Sequence, residues 1–198
     1  MKLLVAVLLL LISLATPVIA QKTSPDPGAE VYAVYSALIR EYIGARQDRT
    51  PNLVIETETT DYPHLGGTRI EDCVKPEAGE EAQFEAMIRD YKAANKTPDT
   101  LKDKFDLPYK YQLVSRSLIS TIFIDKQVDG WKAFYDKYPN SDGYLDMSAV
   151  AFSPDRTIAL VYLGHHCGWL CGDGTYHIMR KEDGKWTRSI WSRCDWVS

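Results

Sequence analysis

Residues 164–186, GHHCGWLCGDGTYHIMRKEDGKW, restrict the fold more than any other stretch of this chain. Two cysteines lie close together inside a glycine-rich turn, with apolar alternation on either side. A hairpin centred on Trp169 sets Cys167 against Cys171, Gly164 against Gly174, Tyr162 against Tyr176 and Leu160 against Ile178. The other face then pairs Val161 with His177, Leu163 with Thr175 and His165 with Asp173, while His166 meets Gly172 on the tyrosine face. Leu160, Tyr162, Tyr176 and Ile178 form a core surface with aromatic cross-strand pairing. The paired glycines mark a bend or a close approach of another group. Opposed residues in a non-hydrogen-bonded pair lie about 4.5 Å apart at Cα, at the short end of the disulfide range.

Two arrangements compete for Cys167 and Cys171. With His165, His166 and His177 nearby, thiolate and imidazole suit zinc or copper. A redox pair, however, uses two intervening residues, and here Gly168, Trp169 and Leu170 make three. A structural zinc site needs a second spaced pair, and only His177 follows the turn. A disulfide-stapled hairpin is the favoured arrangement, with no metal and no cofactor. If Cys167 and Cys171 pair, Cys73 and Cys194 remain for each other. That bond closes a long loop and stabilises by about 3–5 kcal/mol. Four cysteines permit three connectivities, so mixed pairing stays open.

Disulfides imply an oxidising compartment. The opening MKLLVAVLLLLISLATPVIAQK agrees: a basic Lys2, an apolar run Leu3–Leu14 too short to span a bilayer, and small residues Val18 and Ala20 before a cut. We read residues 1–20 as a signal peptide, 21–28 as a flexible leader and 29–198 as a single α+β domain. The expected location is secreted or periplasmic, with no membrane span after signal cleavage. With 45% hydrophobic residues the chain can bury a core. A formal charge of −4 without a basic stripe argues against nucleic acid as partner.

Helices are expected after Asp26 as cap and Pro27, ending at Gly44, then over Glu80–Asn95 and Asp129–Tyr138, with a shorter one over Ser115–Ile124. Val31, Val34, Tyr35, Leu38 and Tyr42 recur at helical spacing, as do Phe84, Met87, Ile88 and Tyr91. Asn52–Thr60 alternates as a half-buried strand. Asp61–Gly79 is loop-like, and Tyr111–Val114 is a short strand. From Gly143 onward the period changes. Gly143–Phe152, Thr157–His166, Thr175–Lys181 and Trp186–Trp191 read as four strands, joined by turns at Ser153-Pro154-Asp155-Arg156 and Asp183-Gly184. Short turns make neighbours antiparallel. The fold class is α+β: two or three amphipathic helices packed on a C-terminal antiparallel four-strand meander, with Trp131, Phe134, Leu160, Tyr162, Tyr176, Ile178 and Trp186 in its core.

No nucleophile elbow, His-Glu-x-x-His or phosphate loop occurs. Asp142, Asp146 and Asp155 could bind calcium, but aspartates near turns ordinarily serve the turns themselves. Asn95-Lys96-Thr97 fits a glycosylation sequon, with Pro98 behind it, and reads as a chance tripeptide.

The C-terminal third resembles a group of secreted bacterial proteins to which no activity is assigned. The matching residues are Trp131, Phe134-Tyr135, Tyr138-Pro139, Ala159–Tyr162, Cys167-Gly168, Leu170-Cys171-Gly172, Gly174, Tyr176 and Asp183–Trp186. The resemblance implies a compartment and a fold unit, and no reaction.

The expected function is a non-catalytic binding or accessory protein for an unknown protein or small molecule. Its contact edge is the turn bearing His165, His166, Trp169, Asp173 and His177, because an apolar Trp at a hairpin tip needs burial or a partner. The alternatives are a secreted hydrolase or metal-dependent enzyme using His165 and His166, and a copper or zinc handler using Cys167 and Cys171.

Overall fold

The computed structural model describes residues 27–45, 51–60, 69–124, 129–189 and 194–198. The expected signal peptide, residues 21–26 of the leader, and the proposed cap Asp26 lie outside the described residues. The first helix, α1 (Pro27–Gly44), starts at a proline, whose fixed φ and missing N–H suit a first turn. Residues 27 and 28 of the expected leader therefore belong to the helix. Val34, Tyr35, Leu38 and Tyr42 are buried along one face, as their spacing requires.

Strand β1 (Leu53–Glu56) follows, then the single turn α2 (Ile70–Cys73), α3 (Glu81–Ala94), β2 (Tyr111–Val114), α4 (Arg116–Ile124) and α5 (Gly130–Lys137). The Asp129 carboxylate caps α5, accepting from the N–H groups of Trp131 at 3.1 Å and Lys132 at 3.3 Å. The remaining strands are β3 (Tyr144–Met147), β4 (Ala151–Phe152), β5 (Ile158–Gly168), β6 (Cys171–Glu182), β7 (Lys185–Ser189) and β8 (Asp195–Val197).

The fold is α+β, with the C-terminal meander running β3, β5, β6, β7. The sheet is wider than that meander. Its order is β2-β1-β3-β5-β6-β7, with β4 also on β5 and β8 also on β6. β1 lies parallel to both β2 and β3, and the other pairs are antiparallel. Parallel neighbours need long crossovers, and the helices between β1 and β3 supply them. β1 is buried at every residue rather than half-buried, because helices cover both faces of the sheet there. The expected strand Gly143–Phe152 divides into β3 and β4. The break is held by Ser148, whose Oγ accepts from Tyr162 N at 2.8 Å. A turn of helix, α2, interrupts the expected loop at 61–79. Of the last expected strand, Ile190 and Trp191 lie outside the described residues.

Both expected turns form. Arg156 N donates to Ser153 O at 2.8 Å, and Asp183 and Gly184 take φ of 47° and 78° between β6 and β7. One face of the sheet packs Leu53, Ile55, Leu145, Val161, Leu163 and Met179 under α1. The other face is divided. α3 covers Leu160, Tyr162, Tyr176 and Ile178, while α4 and α5 cover Val54 and Val114. The predicted core residues are buried, apart from Trp131, which is half-buried on Tyr144 and Phe123.

Asn95 ends α3 and is buried, so the sequon's amide is already engaged. Its Nδ2 donates to Tyr91 O at 2.9 Å and to Ala149 O at 3.2 Å, and its Oδ1 accepts from Ala149 N at 2.8 Å. Asn95→Ala strands these backbone groups and is expected to cost about 1–3 kcal/mol in urea denaturation. A loss below about 0.5 kcal/mol would mean that water replaces the side chain without penalty.

Candidate functional site

The β5–β6 hairpin holds the expected register from Leu160↔Ile178 through Gly164↔Gly174 to His166↔Gly172. At the tip it departs. A bulge between His166 and Gly168 pairs Gly168, not Cys167, with Cys171. The extra residue turns Cys167 inward, so Cys167 is buried while Cys171 is exposed. The two still form a disulfide, with Cα atoms 5.1 Å apart. Cys73 and Cys194 form the second, joining α2 to the residue before β8. With both turn sulfurs bonded to each other, neither is a thiolate ligand. Among the described residues no three His, Cys, Asp or Glu side chains gather to hold a metal ion.

The adjacent histidines point to opposite faces of the sheet, as residues of one strand must. His165 goes inward under α1 and is 2% exposed. Its Nε2 bonds the backbone oxygen of Asp142, and its Nδ1 lies 3.6 Å from Asp173 Oδ1. Tyr42 donates to the same Asp173 carboxylate at 2.8 Å. His165 and Asp173 thus join α1, the β3 entry and the hairpin, and His165 is closed to an external ligand.

His166 faces the other way and is partly open, with 28% of its side chain exposed. Its Nε2 lies 3.1 Å from Asp146 Oδ1. Tyr144 stacks on the imidazole with ring centroids at 4.6 Å, and Trp196 leans on it at 5.3 Å. Gly164 makes room for the Asp146 carboxylate: a Cβ there would lie 2.2 Å from Oδ1. Beside this pair, in the register Val54↔Tyr144 and Ile55↔Leu145, β1 brings up Glu56. Burial pushes the Glu56 carboxyl above the usual range, against the pull of the Arg116 guanidinium bonded to it.

Of the other expected site residues, Trp169 stands 70% exposed at the tip, beside Leu170 at 89%. Tyr135 on α5 donates to Cys167 O at 2.7 Å and steadies the turn from below. Asp155 stays in its own turn, bonded by Ser153 and Thr157, so Asp142, Asp146 and Asp155 do not converge. Tyr42, Glu56, Arg116, Tyr144 and Trp196 escape sequence reasoning, because each arrives from an element outside the hairpin. The Gly164–Gly174 pair was the available signal: it marks where Trp196, and the Asp146 carboxylate beside it, come close.

Comparison with known proteins finds no protein-family model, no curated protein and no solved structure that matches this chain.

His177 is buried under α1's face, and its Nε2 has no hydrogen-bond partner among the described residues. Burial, followed by the charge of Arg188 and opposed by Asp173, pushes its pKa down from 6.5 to about 3. Below pH 6.5 the unfolded chain binds a proton here that the folded chain refuses. Stability from this group is therefore complete above that pH and falls as pH drops toward 3, by at most about 1.4 kcal/mol per unit. Between pH 7 and 4.5 the wild type is expected to lose about 2 kcal/mol more than His177→Leu in urea titrations. Parallel losses in the two proteins would show that His177 is not the acid-sensitive group.

Proposed function

We propose that this chain is a secreted or periplasmic binding or accessory protein that contacts its partner, a protein or small molecule, through the tip of the β5–β6 hairpin. One observation carries this. Trp169 and Leu170 project into solvent from a turn closed by the Cys167–Cys171 bond and anchored by Tyr135. A free apolar loop would lose conformational entropy on binding, whereas a turn already held loses less. An exposed Trp is the side chain most enriched among residues that dominate binding energy. The two disulfides favour an oxidising compartment, and among the described residues no helix is long and apolar enough to cross a membrane.

A photo-crosslinking amino acid at position 169, introduced in cells that export the protein, tests the contact. A discrete adduct is expected at 169 and none at exposed Lys185, at the far end of the hairpin. The absence of an adduct at both 169 and 170 would rule out the tip as the contact.

The His166–Asp146 pair favours a second reading, acid–base catalysis by a secreted hydrolase. An imidazole oriented by a carboxylate and reached by solvent has the geometry of a general base. Here His166→Ala is expected to keep the fold by circular dichroism and abolish turnover in a panel of ester, amide and glycoside substrates. Turnover retained by the variant, or absent from the wild type, would leave the pair a structural one.

A further inference from the structure

Among the described residues β7 pairs with residues 178–182 of β6, and the β6 edge near the hairpin tip lies beyond that pairing. The chain's own C-terminus takes that place. β8 pairs Asp173↔Val197, Gly174↔Trp196 and Thr175↔Asp195, and Ser198 N donates to Gly172 O at 3.0 Å.

Trp196 fills a slot shaped for it. Its indole N–H donates to Tyr162 Oη at 2.7 Å. A Cβ on Gly174 would lie 2.3 Å from the indole nitrogen, and one on Gly172 would lie 3.1 Å from the indole ring. Gly174 is therefore needed for the indole to lie against the sheet, and Gly172 keeps a tight contact beside it. The His166 ring closes one side. This combines main-chain pairing, which accepts any extended segment, with one deep side-chain position, which selects among them. Recognition by strand addition to a sheet edge uses the same division.

The occupant is a short strand at the surface. β8 has three residues, two of them exposed, and Val197 is 80% exposed. Short edge ladders open at low free energy. The Cys73–Cys194 bond keeps the strand beside its slot and so maintains a high effective concentration.

We propose that the Gly172–Thr175 edge of β6 is a strand-addition site selective for an extended segment bearing a tryptophan. β8 occupies it in cis, and a partner segment of the same chemistry occupies it when β8 is released. This surface is distinct from the hairpin tip and does not depend on the contact proposed there.

The test uses the full chain carrying Cys194→Ser and Trp196→Ala, which frees β8 and removes its anchor. The probe is a labelled synthetic peptide of residues 189–198 with Cys194→Ser. Fluorescence anisotropy is expected to show saturable binding to the variant and none to the oxidised wild type. A peptide with Trp196→Ala should bind at least about tenfold more weakly. No saturable binding to a variant with native circular dichroism, equal binding of the two peptides, or equal binding to the wild type would each overturn the proposal. Should the double variant not fold, Cys194→Ser alone is read by hydrogen exchange. Its β6–β8 ladder amides should exchange faster than in the wild type and regain protection when the peptide is added. Protection unchanged by either the substitution or the peptide would overturn the proposal as well.

Discussion

The pairing of β5 with β6 is the constraint on which the rest of the structure depends. These two strands are the longest in the sheet, and their register decides which side chains face α1 and which face α3. A slip of one residue would exchange Val161, Leu163 and Met179 with Leu160, Tyr162 and Ile178 across the sheet. Both sets are buried, so hydrophobicity alone resists such a slip weakly. The polar and small residues resist it strongly. Gly164 must meet the Asp146 carboxylate and Gly174 must meet Trp196, and any residue with a Cβ at either place would collide. The Cys167–Cys171 bond closes the same hairpin at its tip.

Charged contacts then fasten the helices to this pair. Glu30 on α1 is buried, yet it accepts from Arg156 and from Lys181, each at 2.6 Å. Burial alone would raise the Glu30 pKa; the two bonded cations outweigh it and hold it below its usual value. On the opposite face Arg180 reaches Glu80, at the start of α3, with two bonds at 2.6 and 2.8 Å. Both α1 and α3 are thus oriented by cations of one strand, β6, that project to its two sides. Buried carboxylates without such partners would be costly, so these pairs specify how the helices dock more than they add net stability.

The same strand pair explains why two neighbouring histidines have unlike surroundings. Alternation sends His165 beneath α1, where Tyr42 and the Asp173 carboxylate enclose it. His166 emerges between the two helical covers of the other face, where the sheet is less fully roofed. The open polar position beside Asp146 and the exposed tip at Trp169 therefore lie on one hairpin, with only Cys167 and Gly168 between His166 and Trp169.

Much of this was legible in the sequence. The period-2 alternation and the glycine and cysteine placement determine the hairpin register, because side chains on a pleated strand have only two directions to take. The spacing of Phe84, Met87, Ile88 and Tyr91 determines a helix face for the same local reason, and with Cys167 and Cys171 paired only one partner remains for Cys73. What the sequence left undecided is non-local. That β1 is an interior strand, parallel to both neighbours and buried on both faces, follows from the helices packing on each side of it, and nothing within Leu53–Glu56 encodes those neighbours. The bulge that turns Cys167 inward is set within the folded turn itself, and the approach of Asp146 to His166 and the seating of Trp196 on Gly174 arise only when strands some twenty residues apart pair. Local pattern determines which way a side chain points; the tertiary structure alone decides what it meets there.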